Sequence, residues 1–329
     1  MRKKQIITAS VSKNLSNAIY LVRCMIDYLF VPKCLYRWRL ENILTRLTPE
    51  EAEAVNWRVD YYNRLNTKVS LKTSVSVKQY RFPFFKKKRY GYYYFNLYTA
   101  IKHFNTNYRF QYLFGDITQV PDSPKFVKSR PIHGDNTNSI VMKLDAQRHF
   151  HFLNDTLSFR AKKDMLVSRT TWANGRPWRR KFVEQFLNHP MCDVGKTRQE
   201  KDEDFPESIK PYMSFGEQLQ YKFIACIEGV DVATNLKWVM SSNSVAVSPP
   251  MKYETWFMEG QLIPNYHYIE VKPDYSDLIE KLQHYINHPD EAESIIDHAH
   301  EYVQQFIDKR LELATQLAVV QKYFNLTND

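Results

Sequence analysis

Four consecutive runs decide the fold: KFIACIEG (222–229), VDVATNLKWVMSSNS (230–244), VAVSPPMKYETWF (245–257) and, after a turn, HYIEV (267–271). The first is an apolar strand ending at Gly229. A helix carrying Leu236, Trp238 and Val239 follows, then a short strand over Val245–Val247. A second apolar strand, Tyr268–Val271, leads into another helix. This β-α-β-β-α order belongs to a parallel sheet covered by helices. Such sheets bind ligands at the carboxyl ends of their strands, so residues just after Ile227 and Val247 are expected to line a site.

Upstream, Met165–Ser168 reads as a strand ending at Arg169, followed by a polar turn over 170–177. A helix from about Trp178 to Leu187 then opens on Arg179, Arg180 and Lys181. Cations at a helix N-terminus oppose its dipole unless an anion sits there. The cluster is therefore either an anion site or a solvated basic face. Nearer the start, Thr48-Pro49-Glu50-Glu51 combines an N-cap, a first-turn proline and a capping box. Ala52, Val55, Val59, Tyr62 and Leu65 share one face, which predicts a helix over Pro49–Leu65. Val69, Leu71, Val75 and Val77 alternate as a strand or hairpin. Tyr108–Phe114 reads as a strand stopping at Gly115-Asp116, ahead of a proline-bearing loop. An acid there is either a turn former or a catalytic carboxylate. The tail over 290–324 is mostly helical, with Ile295, Ile296, Ala299, Val303, Phe306 and Ile307 on its apolar face.

The 329 residues are 43% hydrophobic and 25% charged, enough for a packed core and long enough for two domains. With only 8 glycines, no GxGxxG and no Walker loop, nicotinamide enzymes and P-loop kinases are disfavoured. The net charge of +10 suggests an anionic partner: nucleic acid, an anionic membrane surface or a phosphorylated substrate. Cys24, Cys34, Cys192 and Cys226 form no CxxC, which fits a reducing cytosol and no zinc site. The apolar run over 18–31, behind Met1-Arg2-Lys3-Lys4, is broken by Arg23 and Asp27. It is either a buried helix or an amphipathic surface helix, not a span. Lys86-Lys87-Lys88-Arg89 lies between Phe84-Phe85 and Tyr90 to Tyr94, a pattern shared by single-strand binders and solvated turns. Asp202-Glu203-Asp204 matches D-x-D formally, but it sits in a charge run, so no metal is expected.

From Phe215 to Phe306 the chain resembles glycosyltransferase family 90, the lipopolysaccharide A protein group related to protein O-glucosyltransferases. The resemblance rests on SFGEQLQYKFIACIEGVDVATNLKWVMSSNSVAVSPP, YETWF and HYIEVKPDYSDLIEKLQHYINHPDEAESI. Arg58-Val59-Asp60-Tyr61-Tyr62-Asn63 and the Asp116 loop extend it loosely toward the start. It implies an α/β, GT-B-like fold: two Rossmann-like domains facing across a cleft, with C-terminal helices packing back on the N-terminal half. The expected domains are 1–160 on the acceptor side, 161–300 for the nucleotide sugar, and a C-terminal helix over 301–329. The resemblance further implies inverting, metal-independent transfer of a hexose, glucose or galactose, from a UDP-sugar, without a cofactor.

The family's catalytic aspartate lies in D-x-x-Q-V-P, which Asp116-Ile117-Thr118-Gln119-Val120-Pro121 matches; Asp116 is the expected base. The family's donor arginines align with Arg169 and with Arg179 or, after a one-residue slip, Arg180. Gly229, Asp231, Asn235, Lys237 and Glu254 complete the expected donor-site residues. Where eukaryotic members place an arginine six residues after the strand-ending glycine, this chain has Asn235, with Lys237 nearby. Asp231 or Asn235 is therefore expected on ribose or sugar hydroxyls. The implied acceptor is a lipid-linked core oligosaccharide of lipopolysaccharide. The implied setting is cytoplasmic, peripheral on the inner face of the inner membrane, with an anionic membrane surface as a further partner and no nucleic acid. The rival readings are a basic nucleic-acid-binding protein and an inactive scaffold member of the same family.

Overall fold

The computed structural model describes residues 19–30, 33–81, 91–172, 176–197 and 205–328. The Lys86–Arg89 run, the Asp202–Asp204 run and the basic N-terminus lie outside them. The chain forms two compact units. Residues 1–148, 253–258 and 306–329 make the first, and residues 149–252 and 259–305 the second.

In the second unit, β7 (Lys163–Thr170), β8 (Cys192–Lys196), β9 (Tyr221–Ala225), β10 (Val245–Ser248) and β12 (Ile269–Glu270) form one sheet in the order β12-β10-β9-β7-β8. Every neighbouring pair is parallel, with Val245 opposite Phe223 and Val247 opposite Ile269. The helices α6 (Pro177–Phe186), α7 (Phe215–Gln218), α8 (Leu236–Met240), α9 (Leu278–Asn287) and α10 (Pro289–Gln304) supply the crossovers and cover. All residues of β9 and β10 are buried, which is why they read as continuous apolar runs rather than alternating ones. Leu166, Val194, Phe223, Val245 and Ile269 from the sheet pack with Val183, Leu282 and Ile295 from the helices. The tail expected to be helical over 290–324 is two helices. α10 stops at Gln304, and Asp308 caps the next helix by accepting from the amides of Arg310 and Leu311. Ile307 falls in that break and is exposed rather than on the apolar face.

The first unit is built from the helix over 19–30 (α1), α2 (Lys33–Thr45), α3 (Pro49–Tyr62), α4 (Gly91–Ile101), the short α5 (Ala146–His149) and α11 (Lys309–Thr327). Its small sheets are β1 (Val75–Ser76) with β2 (Arg109–Phe110), antiparallel; β3 (Tyr112–Leu113), β4 (Lys125–Val127) and β6 (Ser139–Val141), parallel; and β5 (Arg130–Pro131) with β11 (Tyr253–Glu254), antiparallel. The capping box at Thr48 and Glu51 forms as the sequence predicts. The alternation from Val69 to Val77 yields only β1, because the Val69 amide bonds the Leu326 carbonyl at the end of α11 instead of a neighbouring strand. The run over 108–114 is two strands. It changes partner at Gln111, whose amide bonds the Tyr323 hydroxyl at 3.1 Å. Tyr62 stacks on Trp256 with ring centroids 3.9 Å apart, and Arg58 pairs with Glu312 at 2.5 Å. Glu312 also accepts from the Trp256 indole at 2.9 Å and pairs with Lys143. The RVDYYN and YETWF stretches are thus bound into one buried cluster.

Candidate functional site

Parallel strands place their carboxyl ends on one edge, and in the second unit a cavity of about 250 Å³ opens there. Ser168, Arg169 and Thr170 come from the end of β7, Ala225 and Ile227 from the end of β9, and Arg179 from the first turn of α6. Phe215, Gln218, Thr234, Asn235 and Trp238 complete most of the wall. The strand-end rule applied to Ile227 therefore locates a real cavity; Val247 is buried and is not among its lining residues.

The two strand-end arginines differ in what remains to be bound. Arg169 donates through Nε to the Pro211 carbonyl, through Nη1 to the carbonyls of Ser168 and Asp193, and through Nη2 to both oxygens of the Asp193 carboxylate at 2.9 and 3.0 Å. The two oxygens of one carboxylate share a single Nη2 hydrogen, so the protein engages four of the five N–H donors of this guanidinium. Asp193 also accepts from Tyr221 and Lys210. Burial raises the Asp193 carboxyl, but the Tyr221 hydroxyl and Arg169 outweigh it and hold the group below its usual range. Arg169 thus lines the cavity with most of its donors held by Asp193 and backbone.

Arg179 donates only to backbone: Nε to Glu228 O at 2.9 Å, Nη1 to Thr171 O at 3.2 Å and Nη2 to Ile227 O at 2.7 Å. Among the described residues no carboxylate pairs with it, and two of its five donors lie beyond these bonds. Burial, then the like charge of Arg176, pulls its pKa down to about 10, so it remains cationic at neutral pH. Gly229 allows this seat: a Cβ there would lie 3.1 Å from Arg179 Nη2. Arg180 instead points to the exposed face of α6, where it pairs with Glu184 at 2.6 Å. Of the two, Arg179 lines the cavity.

Asn235 lines the cavity as well, its side-chain amide donating to Ala225 O at 2.9 Å. Asp231 is buried and is one of the negative charges felt by Arg179. Lys237 is fully buried and pairs with Glu259 at 2.6 Å, so its ammonium serves the interior of the unit. Glu254 belongs to the first unit, not to the cavity. It is buried, pairs with Arg130 Nε at 2.7 Å and accepts from the Tyr61 hydroxyl. Its carboxylate is thus held by Arg130 and Tyr61, away from the lining of this cavity. Sequence reading gave no role to Phe215, Gln218, Thr234 or Trp238. The capping box Ser214-x-x-Glu217, which sets α7 and so presents Phe215 to Trp238 at 4.9 Å between centroids, was the available signal.

Asp116 lies in the first unit, just past the carboxyl end of β3 and after Gly115, whose φ of +125° turns the chain. Ser129 holds the loop by accepting from the Ile117 amide at 2.9 Å and donating to its carbonyl. The carboxylate pairs with the buried Lys128, has Arg148 at 3.6 Å and keeps 29% of its side-chain surface exposed. It is a fixed anion that an outside molecule can reach.

Among the described residues, His284, His288 and Glu291 form an exposed trio with donor atoms within 4.8 Å of one another. None lines the cavity.

The glycosyl transferase family 90 model matches residues 173–327, a span holding Arg179, Gly229 and Asn235. Over 285 residues the chain is 41% identical to O-glucosyltransferase LpsA of Dichelobacter nodosus, covering 85% of this chain and 86% of that protein. The chain belongs to glycosyl transferase family 90. As a family 90 glycosyltransferase it is also 31% identical over 136 residues to protein O-glucosyltransferase 2 of Danio rerio, covering 39% of this chain and 27% of that one. Among solved structures, TarM is similar over 58% of this chain and 39% of its own, with a TM-score of 0.39 and 12% identity. Family 90 membership gives the protein a sugar donor and an acceptor as substrates and favours transfer over the nucleic-acid reading. Among the described residues no helix is long and apolar enough to cross a membrane.

Proposed function

We propose that this family 90 enzyme transfers glucose from UDP-glucose to a hydroxyl of a lipopolysaccharide core or related surface glycan, with inversion, without a metal, at the inner face of the inner membrane. Arg179 is the observation that carries the reading: a half-buried cation lining a cavity, held by three carbonyls, with donors remaining for an anion. The donor's nucleoside would lie against Phe215 and Trp238, with Thr234, Gln218 and Asn235 available to its hydroxyls and carbonyls. Glucose is preferred to galactose because the Dichelobacter relative is an O-glucosyltransferase.

In the step itself, the acceptor oxygen attacks the anomeric carbon while the sugar–diphosphate bond breaks. The acceptor proton passes to the Asp116 carboxylate, which Lys128 keeps in place. Negative charge grows on the departing diphosphate, and Arg179 stabilises it there. Asp116→Asn is expected to bind UDP as the parent does, by titration calorimetry, and to lose transfer by roughly 10²–10⁴-fold. Near-normal turnover would remove Asp116 from the role. Arg179→Gln is expected to lose UDP binding; unchanged affinity would empty the cavity of its assigned ligand. A panel of UDP-sugars with purified core lipopolysaccharide, read by the anomeric configuration of the product, tests donor and inversion together.

A further inference from the structure

The helices α1 and α2 carry their apolar side chains outward. On α1, Tyr20 accepts from Asn96 at 2.7 Å, Tyr28 packs edge-on against Tyr98 at 5.0 Å, and Asp27 pairs with Lys102 and accepts from the Tyr36 hydroxyl at 2.6 Å. The inward face is thus made of tyrosines and an ion pair. Ile19, Val22, Ile26, Leu29 and Phe30 lie on the opposite side, each more than half exposed, Phe30 to 74%. α2 continues the pattern: Tyr36 is buried, whereas Leu35 and Trp38 are more than half exposed. A helix standing in water normally shows the reverse arrangement. Seven large apolar side chains on two consecutive helices exceed the scatter of single exposed residues found on any soluble surface.

Charge identifies the occupant. Residues 1–40 contain eight Lys or Arg against one acid, Asp27, and so hold seven of the ten net positive charges of the chain. Arg23, Arg37 and Arg39 are exposed among the apolar residues. Protein interfaces accept arginine but are depleted in lysine, and four of the eight cations in this segment are lysines. Apolar and aromatic side chains mixed with arginines, on helices lying flat, instead match the boundary between lipid headgroups and acyl chains. We infer that α1 and α2 form a docking surface for an anionic lipid bilayer, inserting Ile19, Val22, Ile26, Leu29, Phe30, Leu35 and Trp38 while the three arginines meet lipid phosphates. The inference rests on the proposed setting at a membrane face and supplies the surface that would hold the enzyme there.

The experiment is co-sedimentation of the full chain with two kinds of vesicle, phosphatidylcholine alone and equimolar phosphatidylcholine and phosphatidylglycerol, at low and high salt. Binding is expected only to the anionic vesicles and is expected to weaken as salt rises. Ile26→Glu with Leu29→Glu is expected to abolish it. The triple variant Arg23→Gln, Arg37→Gln and Arg39→Gln is expected to weaken it on the order of 100-fold, and the matching lysine triple to retain it. All these positions are exposed, so the variants should melt as the parent does. The inference fails if the parent stays in the supernatant, if it binds neutral vesicles equally, or if the glutamate variant still binds. It also fails if sedimentation reveals a dimer that the glutamates dissolve, since the face would then be a self-association surface. Transfer to a delipidated acceptor separates the two proposals: vesicle binding without transfer overturns the proposed function alone, and transfer without vesicle binding overturns the docking surface alone.

Discussion

Two arginines at neighbouring strand and helix ends show how little residue type alone says about role. Arg169 is held by Asp193 and backbone together, while Arg179 is held by backbone carbonyls alone. The second arrangement depends on Gly229, so Gly229→Ala should push the guanidinium by a few tenths of an ångström off its carbonyls. Loss of one charge-assisted bond predicts UDP affinity weaker by about tenfold with melting nearly unchanged. Parent-like affinity in calorimetry would show that Arg179 tolerates the displacement. A different residue governs acid behaviour. His103 is buried against the Ala100 carbonyl, and burial, reinforced by Lys102, pulls its pKa down from 6.5 to about 4. Between those values the unfolded chain takes a proton that the folded chain refuses. Stability from this group is therefore complete above about pH 6.5 and falls as the pH drops toward 4, by about 3 kcal/mol at most. Urea midpoints across that window should fall in the parent and flatten in His103→Gln.

At the scale of elements, β11 is held in the first unit by a buried ion pair rather than by length: Glu254 and Arg130 face each other from two-residue strands. Glu254→Ala leaves the Arg130 charge buried without that carboxylate, and the expected cost is about 3–5 kcal/mol in urea unfolding. A loss confined to activity, with stability intact, would instead support the ligand-binding role expected from the sequence. What could be read in advance follows the range of the forces involved. β9 and β10 announced themselves because burial on both faces leaves an unbroken apolar run, and α3 because its cap is written in four adjacent residues. The cavity edge, Arg179, Gly229 and Asn235 were legible from strand order and from resemblance. The pairing of Arg169 was not, because Asp193 sits on the neighbouring strand β8, 24 residues away. Nor was the burial of Glu254, since Arg130 is 124 residues away. The breaks at Gln111 and at 305–308 were hidden for the same reason in the first case and by a local cap in the second.

Across the whole molecule the chain passes between its two units four times, and neither unit is a continuous stretch of sequence. α11 supplies Leu317, Val319, Val320, Tyr323 and Phe324 to the buried interior of the first unit, together with Glu312 for Arg58 and Lys143. A chain ending at Gln305 is therefore expected to lose the cooperative unfolding transition of its first unit in calorimetry. A truncated protein that melts like the parent would show that α11 is dispensable. The same wiring has a consequence during translation. The first 148 residues emerge early, yet their interior stays unfinished until the last helix clears the ribosome. At roughly 5–20 residues per second that delay is on the order of ten seconds, during which half-built aromatic surface is available to chaperones and to neighbouring nascent chains.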